Sequence, residues 1–237
     1  MEKKELMYEG KAKKVFSTED PSLYIQSFKD DATAFNAKKK GTIQNKGIVN
    51  NKISSILFQL VEKKGIPTHF VKQLNDRDML VKKLEIIKVE VTIRNVVAGG
   101  MAKMLGLEEG IVLDSPVFEY HYKHDALDDP LINDYHAIAI NLATKEELAY
   151  IEKTAFTINA MLKDFFAGLG IDLIDFKLEF GRYGDEILLG DEISPDTCRF
   201  WEKGTNRKLD KDRFRRDLGG IEETYQEMLA KVTSGAV

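Results

Sequence analysis

Leu173-Ile174-Asp175-Phe176-Lys177-Leu178-Glu179-Phe180-Gly181 alternates charged and apolar side chains, and that alternation decides the fold of the region around it. Extended backbone sends successive side chains to opposite faces, so Asp175, Lys177 and Glu179 share one face and Phe176, Leu178 and Phe180 the other. Gly181-Arg182-Tyr183-Gly184-Asp185 supplies turn residues, and Glu186-Ile187-Leu188-Leu189-Gly190-Asp191 returns as a second strand, which predicts a β-hairpin. An odd loop such as Tyr183-Gly184-Asp185 sets Asp191 opposite Lys177 and diagonal to Glu179, whereas an even loop turns it away. Diagonal neighbours lie roughly 7–8 Å apart at the backbone, close enough for two carboxylates to share hard cations, and magnesium carried with a nucleotide is the natural occupant. Such alternation also marks ordinary half-exposed sheet. The density of charge argues for more here, because the exit Ser194-Pro195-Asp196-Thr197-Cys198-Arg199 adds Asp196 and Arg199 where a strand becomes a loop.

The whole chain sets the limits. Its 237 residues with 43% hydrophobic composition suffice for one large or two small domains with a substantial core. A net charge of −4 with acidic and basic residues intermixed argues against a nucleic-acid partner, which calls for a basic face. No apolar run has the length of a membrane span, and Met1-Glu2-Lys3-Lys4-Glu5 lacks the core of a signal peptide, so a cytoplasmic location is expected. The single cysteine, Cys198, makes no internal disulfide and has no triad histidine nearby in sequence, which fits a reducing compartment and no nucleophilic role.

Upstream, residues 6–16 and 22–28 read as two strands joined by Ser17-Thr18-Glu19-Asp20-Pro21. Period two places Lys11 and Lys13 on one side, while Gly10 and Ala12 leave room for a phosphate chain against the backbone. Basic solvent-facing hairpins are common and no Walker sequence is present, so these residues alone describe a surface. Residues 48–64 carry helical apolar spacing up to Gly65 and read as a structural helix. Strands are expected at 70–74 and 79–84, and Val89 to Gly100 reads as a strong strand running into paired glycines, with Arg94 able to offer a planar fork to phosphate. Residues 121–130, with His121, His124 and three aspartates, match no zinc spacing and read as a solvated polar loop. Thr144-Lys145-Glu146-Glu147 is a capping box that opens a long scaffold helix ending near Gly170. A second helix spans 212–234 with an interruption at Leu218-Gly219-Gly220, and the charge run 208–216 reads as a solvated helix face. Strand-rich segments to about Leu84, then mixed strands and long helices, give an α+β class with a small N-terminal lobe at 1–84, a larger C-terminal lobe at 85–237 and a cleft between them.

Asp175-Phe176-Lys177-Leu178-Glu179-Phe180-Gly181 and Gly190-Asp191-Glu192-Ile193-Ser194-Pro195-Asp196 resemble the two signature segments of the SAICAR synthase family of purine biosynthesis, and the similarity runs from Tyr8 to about Tyr225. The resemblance implies a two-lobed architecture and an ATP-dependent ligation of L-aspartate to carboxyaminoimidazole ribonucleotide, giving ADP, phosphate and the succinocarboxamide. It places Lys11, Lys13 and Lys123 on the nucleotide phosphates and Lys82 and Leu84 at the adenine-binding hinge. Arg94 and Arg199 fall on the ribose phosphate, Asp129 on the amino-acid substrate, and Asp175 and Asp196 on polar groups of the substrate ring. Magnesium on Glu179 and Asp191, charge stabilisation by Lys177, and a homodimer are implied likewise. Because a carboxylate is a poor electrophile, the expected route phosphorylates it first, and the aspartate amine then displaces phosphate. A kinase-type phosphotransferase is the leading rival, although the kinase catalytic-loop sequence His-Arg-Asp is absent; a nucleotide-binding regulator without turnover is the second. The chain departs from the family at Ala98-Gly99-Gly100, where a serine commonly follows Ala-Gly. Gly100 is expected to compensate by bringing its own N–H and that of Met101 to the phosphate, which a bulkier residue would obstruct.

Overall fold

The computed structural model of the chain describes residues 1–34 and 39–236. Strands β1 (Leu6–Glu9), β2 (Lys13–Ser17) and β3 (Leu23–Phe28) run antiparallel in sequence order. A ladder of β4 (Asp31–Ala34) and β5 (Lys39–Thr42) leads into α1 (Lys46–Lys63), after which β6 (Phe70–Gln73) and β7 (Asp78–Lys82) complete a five-stranded sheet ordered β1-β2-β3-β7-β6. Beyond it come β8 (Glu85–Val96), α2 (Gly99–Leu105), β9 (Val112–Tyr122), β10 (Leu131–Ile132) and α3 (Asp134–Ala139). Then follow α4 (Lys145–Gly168), β11 (Ile171–Tyr183), β12 (Glu186–Leu189), β13 (Cys198–Glu202), α5 (Asp212–Arg215) and α6 (Ile221–Gly235). The later strands form a six-stranded sheet ordered β10-β9-β8-β11-β12, with β13 also on β11, and the architecture is α+β. Among the described residues no helix is long and apolar enough to cross a membrane.

The predicted division of β11 into two faces holds. The capping box closes as read: the Thr144 side chain accepts from the Glu147 N–H and the Glu147 carboxylate accepts from the Thr144 N–H. From there α4 lays Ile151, Ala155, Ile158 and Leu162 into one core with Phe176, Leu178 and Phe180 of β11. Burying each such large side chain stabilises the fold by roughly 1.5–3 kcal/mol. This core fixes which side of the sheet carries Asp175, Lys177 and Glu179.

One edge of β11 pairs with β8 from Asp175 to Arg182, with a register shift between Glu179 and Gly181, while the other is shared by β13 along its first part and β12 along its last. Between the two partners the backbone is held by single bonds. The Lys177 N–H donates to the Thr197 carbonyl at 2.9 Å and the Gly190 N–H donates to the Glu179 carbonyl at 2.8 Å. Residues 190–197 therefore bridge from β12 to β13 beside the charged face, which is how both signature segments arrive at one place.

Several expectations are corrected. Tyr183 pairs with Glu186, so the hairpin has the two-residue turn Gly184-Asp185, an even loop that in a regular ladder would turn Asp191 away. Asp191 reaches the site by another route: the strand ends at Leu189 and Asp191 adopts a left-handed φ of 58°, reversing its side chain. The first predicted strand is two, because Gly10, Lys11 and Ala12 form the turn between β1 and β2. The paired glycines open α2, whereas β8 stops at Val96. His121 and Tyr122 finish β9 and are not loop residues; β9 was hidden in the sequence by Pro116, which falls in the register shift between Val112 and Val117. The C-terminal helix is two helices, with Gly220 left-handed at the start of α6.

Candidate active site

Three lysines meet the two predicted metal carboxylates. Lys13, the first residue of β2, places Nζ 2.6 Å from Asp191 and 3.1 Å from Glu192. Lys123, just past β9, donates to Glu179 Oε1 at 2.7 Å, and Lys177 bridges Glu90 at 2.9 Å and the same Glu179 oxygen at 3.1 Å. Burial disfavours the charge on Lys13, but Asp191 and Glu192 outweigh it and raise its pKa. Lys177 is raised in the same way, against burial, by Glu179 and Glu90. Glu90 moves up because burial prevails over the attraction of Lys177. Asp191 is held below the usual carboxylate range because Lys13, Lys177 and Lys123 together overcome its burial.

The donor set bears on which metal fits. Glu179 in β11 and Asp191 just past β12 offer hard carboxylate oxygens. One or two carboxylates are what magnesium takes from protein, the rest of its shell coming from water and phosphate oxygens. Above these carboxylates lies the predicted hinge. A Cβ on Gly181 would sit 2.7 Å from Leu84 Cβ, so Leu84 rests directly on the β11–β12 hairpin. The Lys82 N–H donates to the His69 carbonyl at 2.7 Å, and the His69 N–H donates to Leu189 at 2.8 Å, joining the hinge to the strand that delivers Asp191. Burial pushes His69 down to about 3, so its imidazole is neutral. Lys11, by contrast, stays outside this cluster and pairs with exposed Asp125 at 2.7 Å.

Next to the lysines is a cavity of about 240 Å³, lined by Arg94, Asp175, Lys177, Asp196, Arg199 and Arg215 among others. Its floor is a ladder of alternating charges. Arg94 contacts Glu119 at 2.9 and 2.8 Å and Asp175 at 2.8 Å; Asp175 receives Arg199 at 2.8 and 3.1 Å. Arg199 continues to Asp212 at 2.9 Å and Asp212 to Arg215 at 2.6 Å. At the other end His121 Nε2 lies 3.2 Å from Glu119. Burial would raise Glu119, but hydrogen bonds from His121 and Arg94 bring it down to about 2.

Asp196 is engaged away from the cavity as well as beside it, receiving Lys46 at 2.9 Å, Lys211 at 3.2 Å and the Tyr225 hydroxyl at 2.8 Å. Asp129 uses its carboxylate to accept the His124 N–H at 2.7 Å and its carbonyl lies 3.1 Å from His121 Nδ1, so the loop is fastened to the ladder. At Ala98-Gly99-Gly100 the restrictive position is Gly99, not Gly100. Gly99 has φ +54° and a Cβ there would collide with the Arg199 guanidinium, whereas a Cβ on Gly100 would meet only Arg94 Nη2 at 3.7 Å. Cys198 borders the cavity, and burial pushes its thiol up and away from thiolate chemistry.

The structure thus brings Lys13, Lys123, Lys177, Glu179 and Asp191 together, and Arg94, Asp175, Asp196 and Arg199 beside them; Lys11 and Asp129 make their contacts at the adjoining loop. Sequence reasoning missed Glu90, though period two from Arg94 through Thr92 places it on the same face of β8. It also missed Lys46, Lys211, Asp212 and Arg215. The 208–216 run is no solvated face: Asp210, Lys211 and Asp212 are buried and Arg215 lines the cavity. Nor is α1 only scaffold, since its first residue, Lys46, is fully buried against Asp196 and Ser54 bonds the Ile193 carbonyl at 3.1 Å.

Residues 6–232 match the SAICAR synthetase family. The phosphoribosylaminoimidazole-succinocarboxamide synthase of Clostridium acetobutylicum is 62% identical over 233 residues, covering 98% of this chain and 99% of the relative. Among solved structures, that synthase from Ehrlichia chaffeensis superposes with a TM-score of 0.95 at 46% identity, covering 97% of this chain and 98% of the other. A SAICAR synthetase in complex with ADP superposes with a TM-score of 0.93 at 47% identity, covering 96% and 97%.

Proposed function

The chain belongs to the SAICAR synthetase family, and from that premise we propose how its residues carry out the reaction. It is an ATP-dependent ligase that joins L-aspartate to carboxyaminoimidazole ribonucleotide, releasing ADP and phosphate, in purine biosynthesis. The observation that carries the assignment of roles is the meeting of three lysines on Glu179 and Asp191 immediately beside an arginine-floored cavity.

ATP lies between the hinge at Lys82 and Leu84 and the lysine cluster, with residues 1–84 as the lid lobe and 85–237 as the substrate lobe. Lys13, Lys123 and Lys177 exchange their present carboxylate partners for phosphate oxygens, and Lys11 follows from the β1–β2 turn. Glu179 and Asp191 hold magnesium, which when bound supplies charge neutralisation to the phosphates. The ribonucleotide enters the cavity with its phosphate toward Arg94, Arg199 and Gly100 and its ring toward Asp175 and Asp196. Its carboxylate oxygen attacks the γ-phosphorus, the bond to the ADP oxygen breaks, and Lys177 stabilises the charge that develops. The amine of aspartate, oriented from the Asp129 loop, then attacks the acyl carbon; the carbon–oxygen bond to phosphate breaks and the amine proton is lost. Assembly as a homodimer agrees with the exposed apolar side chains of Tyr135, Ile138 and Ile140 around α3.

Omitting each substrate in turn while measuring ADP release tests this reading. Release that needs both aspartate and the ribonucleotide is expected. Release that needs neither would fit an ATPase, and release with the ribonucleotide alone would fit a phosphotransferase.

A further inference from the structure

Glu109 hydrogen-bonds to Gly99 and Arg216, which do not line the cavity but adjoin residues that do. It lies in the loop between α2 and β9, where the Gly110 N–H donates to the Val97 carbonyl and the Val97 N–H to Ile111, both pinning the loop to the end of β8. From there its carboxylate accepts the Gly99 N–H at 2.9 Å on Oε1 and the Arg216 guanidinium at 2.5 and 2.8 Å on its two oxygens. Gly99 is packed against the Arg199 guanidinium, which a Cβ at that position would displace. Arg216 follows α5, which supplies Asp212 to Arg199 and Arg215 to the cavity. One carboxylate thus fixes the glycine turn on one side and the α5 turn on the other, with Arg199 between them.

We propose that Glu109 is a positioning residue for the ribonucleotide, setting the Gly99–Gly100 turn and α5 at the spacing that Arg199 and Arg215 need. The proposal rests on the reading of this cavity as the ribonucleotide site. Its energetic signature follows from exposure. The Glu109 and Arg216 side chains are 30% and 37% exposed, and ion pairs this open contribute little to global stability. Their bidentate geometry nevertheless restricts orientation, so the loss appears in ligand affinity more than in folding. Arg216, followed by Gly99, also holds the Glu109 pKa low, so the carboxylate stays charged at neutral pH.

Initial rates of ADP release are measured on the full chain with the ribonucleotide varied at saturating ATP, aspartate and magnesium. Glu109→Ala is expected to raise the KM for the ribonucleotide about tenfold while kcat and the KM for ATP stay within about twofold. Glu109→Gln, which keeps an acceptor for the Gly99 N–H, is expected to recover most of that loss. Arg216→Ala is expected to shift the same KM, and the double variant to be no worse than Glu109→Ala alone, because both break one connection. A ribonucleotide-dependent wild type whose KM ignores both Glu109→Ala and Arg216→Ala overturns the role of Glu109 alone. So do effects of the two variants that multiply, or a loss spread equally over kcat and the KM for ATP. Wild-type ADP release indifferent to the ribonucleotide overturns the functional reading, and the role of Glu109 with it.

Discussion

The lysine end and the arginine end of the site are built from the same charges in different geometry. Around Glu179 and Asp191, each lysine makes point contacts from a flexible stem, and Glu179 Oε1 alone takes two of them. Around Asp175, guanidinium groups fork between two carboxylates each, so Glu119, Arg94, Asp175, Arg199 and Asp212 form one fixed ladder. Ammonium groups can change partner at small geometric cost, whereas planar guanidinium forks define positions. On the proposed reading the difference is a division of labour, in which the lysine end would release its carboxylates to a metal and receive phosphates and the arginine end would present a preformed seat to a substrate anion.

The largest expected effect comes from the lysine end's carboxylates. Glu179→Gln or Asp191→Asn should lower kcat by roughly 10²–10³-fold or more, since charge stabilisation at the transferred phosphoryl group is lost, with the protein still folded though less stable because each carboxylate is ion-paired to lysine. A near-normal rate at saturating magnesium would break the assignment of these two residues. At the arginine end, Arg94→Ala takes one of two partners from each of buried Glu119 and Asp175, leaving them His121 and Arg199, which should cost about 1–3 kcal/mol of stability by denaturant unfolding. Its ribonucleotide KM should rise about a hundredfold. An unaffected KM would remove the phosphate from this strand.

Lys13→Ala sharpens the contrast. It should raise the KM for ATP about tenfold and also lower stability, because Lys13 is ion-paired with both Asp191 and buried Glu192. A change confined to the KM for aspartate would contradict a phosphate contact at Lys13. Gly100→Ser is the smallest: a Cβ there meets only Arg94 Nη2, at an ordinary contact distance of 3.7 Å, so the ribonucleotide KM should move by less than about tenfold. A large gain in affinity would mean that the hydroxyl usual in the family has no substitute here.

The two ends also differed in how legible they were. Strict alternation made the face of β11 readable from residue types alone, because period two fixes Asp175, Lys177 and Glu179 whatever the partners are. Period two left the side of Asp191 to the parity of the hairpin turn: the turn is even, and the left-handed backbone at Asp191 itself does what a ladder would not. No local pattern marks such a reversal. The ladder's distant members were least legible, since Asp212 and Arg215 lie in a segment whose composition is that of a solvated helix and whose surroundings are set by tertiary packing. A charge run and a buried network have the same letters; only the neighbouring elements separate them.

Phosphoryl transfer to the ribonucleotide's own carboxylate oxygen is tested directly by labelling that carboxylate with oxygen-18. After turnover with unlabelled ATP and aspartate in unlabelled water, one labelled oxygen is expected in the inorganic phosphate released, carried there when the acyl phosphate is cleaved. Inorganic phosphate free of label would contradict phosphoryl transfer to the carboxylate.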